Sequence, residues 1–368
     1  MGKIEKLIQQ YCPDGVEYVK IGQIAQVGTG SSNGNEAEDE GVYPFFVRSQ
    51  SIKRKNDYEY DEEAIIIPGE GGIGEIFHYI NGKYALHQRV YRIHFFVQSV
   101  NVKFAYYYMR SFFKQFIMKK AVSATVVSIR KPMIEDFVIP VPPLPVQEEI
   151  VRILDNFAEL QAELQAELQK RLQQYNYYRD NLLSFEGRTD VEWKKLGEIT
   201  TILRGKRLTK SQLSDDKPYA VYHGGLDPLG YYESANRTAN TTMIINVGAS
   251  AGTVGYSKED FWSSDGCYCI EHSASFDDRY IYYVLQTQEQ QLKSKVRVAG
   301  IPTLDRPVVE DLKVPIPPLA EQQRIVDILD RFDKLTTDLT AGLPAEIEAR
   351  RKQYEYYRDQ LLTFKQKA

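Results

Sequence analysis

The residues able to do covalent or metal chemistry are few and scattered. Five histidines stand at 78, 87, 94, 223 and 272 without the spacing of a ligand set. Cys12, Cys267 and Cys269 include one Cys-x-Cys pair, with no CxxC step and no histidine cluster nearby to complete a zinc site. There is no GxxxxGKS/T phosphate loop, no HExxH and no Asn/Asp-Pro-Pro-Tyr/Phe methyltransferase signature. Gly69-x-Gly71-x-x-Gly74 follows an apolar run and superficially meets the dinucleotide fingerprint. Pro68 precedes it, however, and Glu75-Ile-Phe-His-Tyr-Ile80 after it reads as a strand where that fingerprint needs a helix. From Ile76 to Ile134 no acidic residue is available for a ribose. The loop therefore reads as a tight strand-turn-strand connection, and the chain is expected to bind rather than react, with no catalytic residue, metal or cofactor of its own.

The side chains suited to binding are basic ones interleaved with small polar and aromatic residues. Arg48-Ser49-Gln50, followed by Lys53, Arg54 and Lys55, offers groups that fit guanine and adenine edges and phosphate. Arg89, Arg130 and Lys131 belong to the same half of the chain. In the other half Arg204, Lys206 and Arg207 cluster after a strand, with His223, Arg237, Arg297 and Arg306 as further candidates. Singly, each reads as a solvated surface charge; collectively they favour a polyanion.

The charge balance supports that reading only through its distribution. Lys and Arg total 46 against 50 Asp and Glu, a net charge of -4. Yet from Ile76 to Ile134, 59 residues, there is no Asp or Glu, while ten Lys and Arg occur. An electropositive face on an acidic molecule is expected, the footprint of a nucleic-acid binder.

These candidates sit on a duplicated plan. Val141-Pro-Pro-Leu-Pro-Val-Gln-Glu-Glu-Ile-Val-Arg-Ile-Leu-Asp-Asn-Phe157 aligns with Ile316-Pro-Pro-Leu-Ala-Glu-Gln-Gln-Arg-Ile-Val-Asp-Ile-Leu-Asp-Arg-Phe332 at a shift of 175, with 10 of 17 positions identical. Gln174-Tyr-Asn-Tyr-Tyr-Arg-Asp-Asn-Leu-Leu-Ser-Phe185 aligns with Gln353-Tyr-Glu-Tyr-Tyr-Arg-Asp-Gln-Leu-Leu-Thr-Phe364 at a shift of 179, with 9 of 12 identical. Val16-Glu-Tyr and Val191-Glu-Trp open the two copies. Between these blocks the halves differ, apart from landmarks such as Lys103-Phe-Ala-Tyr-Tyr-Tyr against Arg279-Tyr-Ile-Tyr-Tyr-Val. Each half is thus a framework carrying a variable module, and two unlike modules imply two related recognition tasks.

After each Pro-Pro step the apolar residues recur at three and four, the helical period. Ile150, Leu154, Phe157 and Tyr178 belong to the first stripe, over 147–185. Ile325, Leu329, Phe332, Leu339 and Tyr357 belong to the second. A helix of that length spans about 58 Å at 1.5 Å per residue, too long for the core of a small domain, so its stripe needs a partner. The simplest partner is the other helix, antiparallel if the repeat makes a pseudo-two-fold. Gly342 and Pro344 predict a kink or restart near Leu343. Ala158 to Gln169 is three copies of Ala-Glu-Leu-Gln, strong helix former that also reads as a ruler, one copy being about 6 Å. Inside the modules, strands are predicted at 64–68 and 242–247, and helices at 102–120 and 278–292. The fold class is therefore α+β: two mixed modules, 1–145 and 187–319, joined by two long antiparallel coiled-coil-like helices, 146–186 and 320–368.

The Pro-Pro-Leu-x-x-Gln and Ile-Val-x-Ile-Leu-Asp blocks, the Gln-Tyr-x-Tyr-Tyr-Arg-Asp-x-Leu-Leu-x-Phe endings and the Val-Glu-Tyr/Trp openings resemble the specificity subunit of type I restriction-modification enzymes, over essentially the whole chain. The resemblance implies two target-recognition domains, each reading one half of a split site in double-stranded DNA through the major groove. It also implies that the two helices dock two methyltransferase subunits, through Ile150, Leu154, Phe157, Tyr178, Ile325, Leu329, Phe332 and Tyr357. Those partners carry S-adenosylmethionine, motor-nuclease subunits join for cleavage, and the number of Ala-Glu-Leu-Gln copies sets the gap between half-sites.

Composition bounds the rest. With 43% apolar and 26% charged residues, 368 residues are ordinary globular chain for two domains or a little more. No stretch approaches a membrane span, the amino-terminal segment is charged and amphipathic rather than a signal peptide, and three cysteines are too few for a disulfide framework. Reducing cytoplasm is the expected compartment. Two other classes compete: a two-headed scaffold for protein or glycan, insensitive to salt, and an enzyme using the glycine-rich loops, which would bind nucleotide.

Overall fold

Short β-branched and aromatic runs become strands here, and each Pro-Pro step becomes the joint between a strand and a long helix. The computed structural model describes residues 2–120, 128–185, 187–337 and 342–367. They form two compact units: Met1–Glu163 with Ile347–Ala368, and Leu164–Glu346.

The first unit begins with α1 (Lys3–Tyr11), β1 (Tyr18–Lys20) and α2 (Ile21–Ile24). A six-stranded sheet follows, from β2 (Ala25–Thr29), β3 (Tyr43–Phe46), β4 (Lys53–Lys55), β5 (Tyr60–Pro68), β6 (His78–Leu86) and β7 (Val90–Phe95), in the order β2-β7-β5-β6-β3-β4. β5 is central and covered on both sides, which is why it reads as a continuous apolar run rather than an alternating one. Ile65 and Ile67 pack with Phe113 and Ile117 of α3 (Val102–Lys120), whereas Ala64 and Ile66 pack with Phe46, Tyr84 and Leu86 on the opposite face. α4 (Lys131–Glu135) and β8 (Val138–Pro140) lead into α5 (Leu144–Ser184), whose first part, to Glu163, belongs to this unit.

The second unit repeats the frame with β9 (Glu192–Lys195), α6 (Leu196–Ile199), α9 (Arg306–Glu310) and β17 (Lys313–Ile316). Between them its module is built differently. A four-stranded sheet, β10-β16-β13-β14, uses β10 (Ile202–Arg204), β13 (Thr241–Ile245), β14 (Val254–Ser257) and β16 (Cys267–Ile270). A three-stranded sheet, β12-β11-β15, uses β11 (Tyr219–Tyr222), β12 (Gly230–Tyr232) and β15 (Trp262–Ser263). α7 (Asp278–Thr287) and α8 (Glu289–Ser294) divide at Gln288 what the periodicity predicts as one helix. α10 (Leu319–Thr337) and α11 (Leu343–Leu361) complete the chain. α11 restarts at Leu343 as the Gly342 and Pro344 pattern predicts, and the stripe residue Leu339 lies outside the described residues.

The duplication holds at the level of atoms. Tyr18 pairs with Pro140 in β1-β8, and Trp193 with Pro315 in β9-β17, each 175 residues on. Lys20 bridges Asp136 at 2.9 Å and Lys195 bridges Asp311 at 2.7 Å. A Cβ on Gly22 would lie 2.9 Å from the Glu135 Cβ, and one on Gly197 2.9 Å from the Glu310 Cβ, so both frames require glycine there. The glutamine of each Pro-Pro-Leu-x-x-Gln block is fully buried and bridges three backbone groups. Gln147 donates Nε2 to Pro142 O and Ser99 O and accepts from Asn101 N. Gln322 does the same with Pro317 O, Ser275 O and Asp277 N.

The divergent modules keep one further device. In the first unit Lys103 Nζ and Tyr107 Oη, both on α3, each lie 2.6 Å from the Asp155 carboxylate of α5. In the second, Arg279 Nε and Tyr283 Oη, both on α7, meet the Asp330 carboxylate of α10 at 2.8 and 2.5 Å, and Arg279 also reaches Asp333 at 2.7 Å. These latches join each module to its helix, and they account for the two aromatic-rich landmarks that survive between the halves.

Candidate nucleic-acid interface

The acid-free run does not make the uniform electropositive face its composition predicts, because carboxylates from elsewhere in the chain fold onto it. Arg92 meets Glu62 at 2.8 Å, Lys103 meets Asp155 at 2.6 Å, Arg89 meets Glu70 at 3.0 Å and Lys131 meets Glu135 at 3.5 Å, while Lys114 pairs with Glu75.

In the first unit, Arg48, Ser49 and Gln50 leave β3 beside the glycine-rich loop between β5 and β6. The loop holds Gly71, Gly72 and Gly74 at φ of 74°, 61° and 68°, which side chains rarely adopt. It is the strand-turn-strand connection the sequence predicts, since β5 and β6 pair antiparallel across it with Ile66 opposite His78. Glu70 on this loop accepts from Arg48 Nη1 at 3.1 Å and from Arg89 Nη1 at 3.0 and 3.2 Å. Arg89 first, and Arg48 after it, hold the Glu70 carboxyl below its ordinary range. Ser49 Oγ donates to Ser51 O at 2.9 Å, and Gln50 is exposed. Ile129 N donates to Gly69 O at 2.7 Å, which brings the exposed Arg130 next along the chain to the same loop.

β4 is the edge strand of the six-stranded sheet, and its three basic residues fare differently. Lys53 and Arg54 are exposed, and Arg54 Nη1 donates to Val42 O at 3.0 Å. Lys55 corrects the expectation. Its side chain is only 12% exposed and is held by Glu36 at 2.8 Å, Asp57 at 3.1 Å and Ser32 Oγ at 2.9 Å. The Lys55 ammonium lowers the Glu36 carboxyl to about 2, so this charge is compensated within the fold.

In the second unit, Arg204, Lys206, His223 and Arg237 gather around residues 263–265. A Cβ on Gly205 would lie 2.0 Å from Ser263 O, and Trp262 Nε1 donates to Lys206 O at 2.7 Å, so the loop carrying Lys206 and Arg207 is pinned while both side chains are exposed. Arg204 Nε donates to Asp265 O at 3.2 Å, and His223 Nδ1 lies 3.4 Å from Asp265 Oδ1. Arg237 is a second correction. Its guanidinium braces Asn236 O and Arg204 O, at 2.5 and 3.1 Å, with Nε buried and unpaired, so it is a strut under the loop. Arg297 and Arg306 stand apart from this group. Arg297 bridges Asp305 at 3.3 Å, and Arg306 bridges Glu310 at 2.7 Å as Lys131 bridges Glu135 in the first frame.

The helix residues expected to dock partners also divide. Ile150 and Leu154 are fully buried in the first unit, as are Ile325 and Leu329 in the second, so all four are core of this chain and are withdrawn as docking residues. Phe157 stacks on Tyr357 at 5.7 Å between centroids, and Phe332 on Tyr178 at 5.4 Å. Beyond these stacks lie exposed tyrosines that sequence reasoning passed over: Tyr177, 67% exposed, and Tyr356, 61% exposed, each edge-on to its neighbour at 73° and 74°. Leu144 and Leu319 are likewise exposed, 175 residues apart. The signal was available, since an apolar surface residue retained in both copies of a repeat has no core to fill.

A doubled frame with unlike loop-borne basic clusters defines a two-headed binding protein. Residues 13–174 and 189–349 each match the type I restriction modification DNA specificity domain, and the chain belongs to that family. It is 33% identical over 249 residues to the EcoR124I/EcoR124II specificity subunit of Escherichia coli, a match covering 60% of each chain. It is 30% identical over 354 residues to a putative type I restriction enzyme specificity subunit of Haemophilus influenzae, covering 88% of this chain and 89% of that one. Its fold is similar to the S subunit of a type I restriction-modification system from M. genitalium, with TM-score 0.67 and 19% identity over 94% of this chain and 95% of that one. These comparisons give no support to the scaffold for protein or glycan. Among the described residues, no helix is long and apolar enough to cross a membrane.

Proposed function

We propose that this chain is the non-catalytic DNA-reading subunit of a type I restriction-modification assembly, inspecting a split duplex site with one module per half-site while methyltransferase and motor-nuclease subunits do the chemistry. The observation that carries this reading is what the duplication keeps and what it changes. The strand pair, the buried glutamine, the latch and the exposed tyrosine pair recur, whereas the sheets and basic loops of the modules differ. A protein that holds two copies of one partner and reads two different sequences needs that division.

In this reading 1–145 and 187–319 are the recognition domains, and 146–186 and 320–368 the spacers. Arg48, Ser49, Gln50, Lys53, Arg54, Arg89 and Arg130 serve one half-site, and Arg204, Lys206, Arg207 and His223 the other, with some on base edges and some on phosphate. The tyrosine pairs Tyr177-Tyr178 and Tyr356-Tyr357 take the place of the buried aliphatics as docking points for two methyltransferase subunits. S-adenosylmethionine belongs to those subunits, and the assembly works in the cytoplasm with the DNA it reads.

The test is to map methylated adenines in cells expressing this chain with its methyltransferase. A split motif is expected, with only one half changing when residues 189–315 are exchanged for another module. Methylation that follows no split motif, or two half-sites changing together, overturns the reading.

A further inference from the structure

Glu70 and its two arginines give the glycine-rich loop a purpose that neither the failed dinucleotide motif nor the general binding surface supplies. Solvent screens an exposed ion pair, so stability alone does not explain this arrangement. Three glycines with positive φ turn the loop back, Gly69 N donates to Arg89 O at 2.9 Å, and a Cβ on Gly71 would meet Arg48 O at 3.1 Å. The backbone is thereby clasped between the segments carrying the two arginines, and the carboxylate is delivered to both.

The atoms used matter. Arg48 and Arg89 each reach Glu70 through Nη1 alone. Among the described residues neither guanidinium makes another hydrogen bond, so each exposed side chain keeps its Nε and Nη2 donors, two parallel N–H groups on one edge. Such a pair of donors matches the O6 and N7 acceptors of guanine in the major groove and no other base. A free arginine would lose side-chain entropy on binding; one already tethered through Nη1 loses less.

We propose that Arg48 and Arg89 are guanine-reading side chains of the first recognition domain, and that Glu70 is the residue that positions them. This rests on the DNA-reading function proposed above. It places one or two guanines in the half-site read by the first unit. In the second unit Arg204 uses Nε on Asp265 O and Arg237 is a strut, so neither of these two offers the same edge.

The experiment is selection from random duplex DNA by the full chain with its methyltransferase, repeated for Arg48→Lys, Arg89→Lys and Glu70→Gln. Lysine keeps the charge for phosphate but lacks the two-donor edge. Each lysine variant is expected to lose roughly ten- to hundredfold preference for guanine at one position of one half-site, with the other half-site and the slope of affinity against salt unchanged. Glu70→Gln is expected to tighten binding to unrelated DNA by removing a negative charge, yet to weaken guanine preference at those positions severalfold. A general electrostatic effect would tighten all sequences alike and leave the preference intact, which overturns the positioning role. Retention of both half-sites by both lysine variants overturns guanine reading while leaving the DNA-reading function standing. Failure of the unaltered chain to select any split site overturns both.

Discussion

At the scale of single residues, one nearly buried carboxylate, at a position where the second copy has Arg324, ties the amino terminus to the frame. The Glu149 side chain on α5 is 4% exposed and accepts from Arg152 Nη2 and Lys3 Nζ, each at 2.7 Å. Arg152, and after it Lys3, holds this carboxyl down to about 2 from an ordinary 4.5. A carboxyl lowered in the folded state supports the fold in full above its free value and loses that support as the pH falls through the folded one. The attachment of α1 is therefore expected to be intact above pH 4.5 and to weaken between pH 4.5 and 2. Backbone NMR shifts of residues 3–11 across that range would report it. In Glu149→Gln they are expected to move already at neutral pH and to lose this acid step; an unchanged titration would sink the assignment. Gln147 and Gln322 illustrate the neutral counterpart. Sequence alone showed that they recur, and only the structure shows why, because two of each glutamine's three backbone partners lie on one segment far back along the chain: Ser99 and Asn101 for Gln147, Ser275 and Asp277 for Gln322.

At the scale of elements, the latch explains why a short tyrosine-rich landmark survives between modules whose sheets differ. Arg279 is nearly buried and lies 4.6, 4.7 and 4.8 Å above the rings of Tyr256, Tyr282 and Tyr283 while meeting Asp330 and Asp333. Replacing Asp330 by Asn removes one carboxylate from a buried cation that keeps the other. A loss of about 1–3 kcal/mol is expected, confined to the second unit. Amide exchange should rise in α7 and α10 while α3 and its Asp155 latch stay unchanged; equal rises in both units would contradict independent latching. Periodicity made the long helices, β5, α3 and the duplication legible, since these signals are local or repeated. It misplaced the docking residues because an apolar stripe marks what is buried without marking by what: Ile150 and Leu154 are covered by Leu361 and Leu362 of the same chain, far along the sequence. The ion pairs were illegible for the same reason. Lys55, Arg237 and Glu70 acquire their roles from partners that loops bring near.

At the scale of the whole molecule, α5 runs unbroken through the three Ala-Glu-Leu-Gln copies, and the division between the two units falls inside them, between Glu163 and Leu164. Its length is thus a variable that neither module's core constrains. Four residues of α-helix add about 6 Å and turn the chain about 40° beyond a full turn, so removing one copy leaves the stripe of Leu160, Leu164 and Leu168 nearly in line. Removing two residues turns everything downstream by about 200° and sets that stripe against solvent. Deletion of one Ala-Glu-Leu-Gln copy is therefore expected to leave a folded chain that selects the same two half-sites with a gap shorter by about one or two base pairs, DNA rising about 3.4 Å per pair. Deletion of Glu163 and Leu164 alone is expected to lower the melting temperature and abolish selection of any split site. An unchanged gap in the four-residue deletion would remove the ruler, and a two-residue deletion that folds and selects normally would show that the stripe does not set the register.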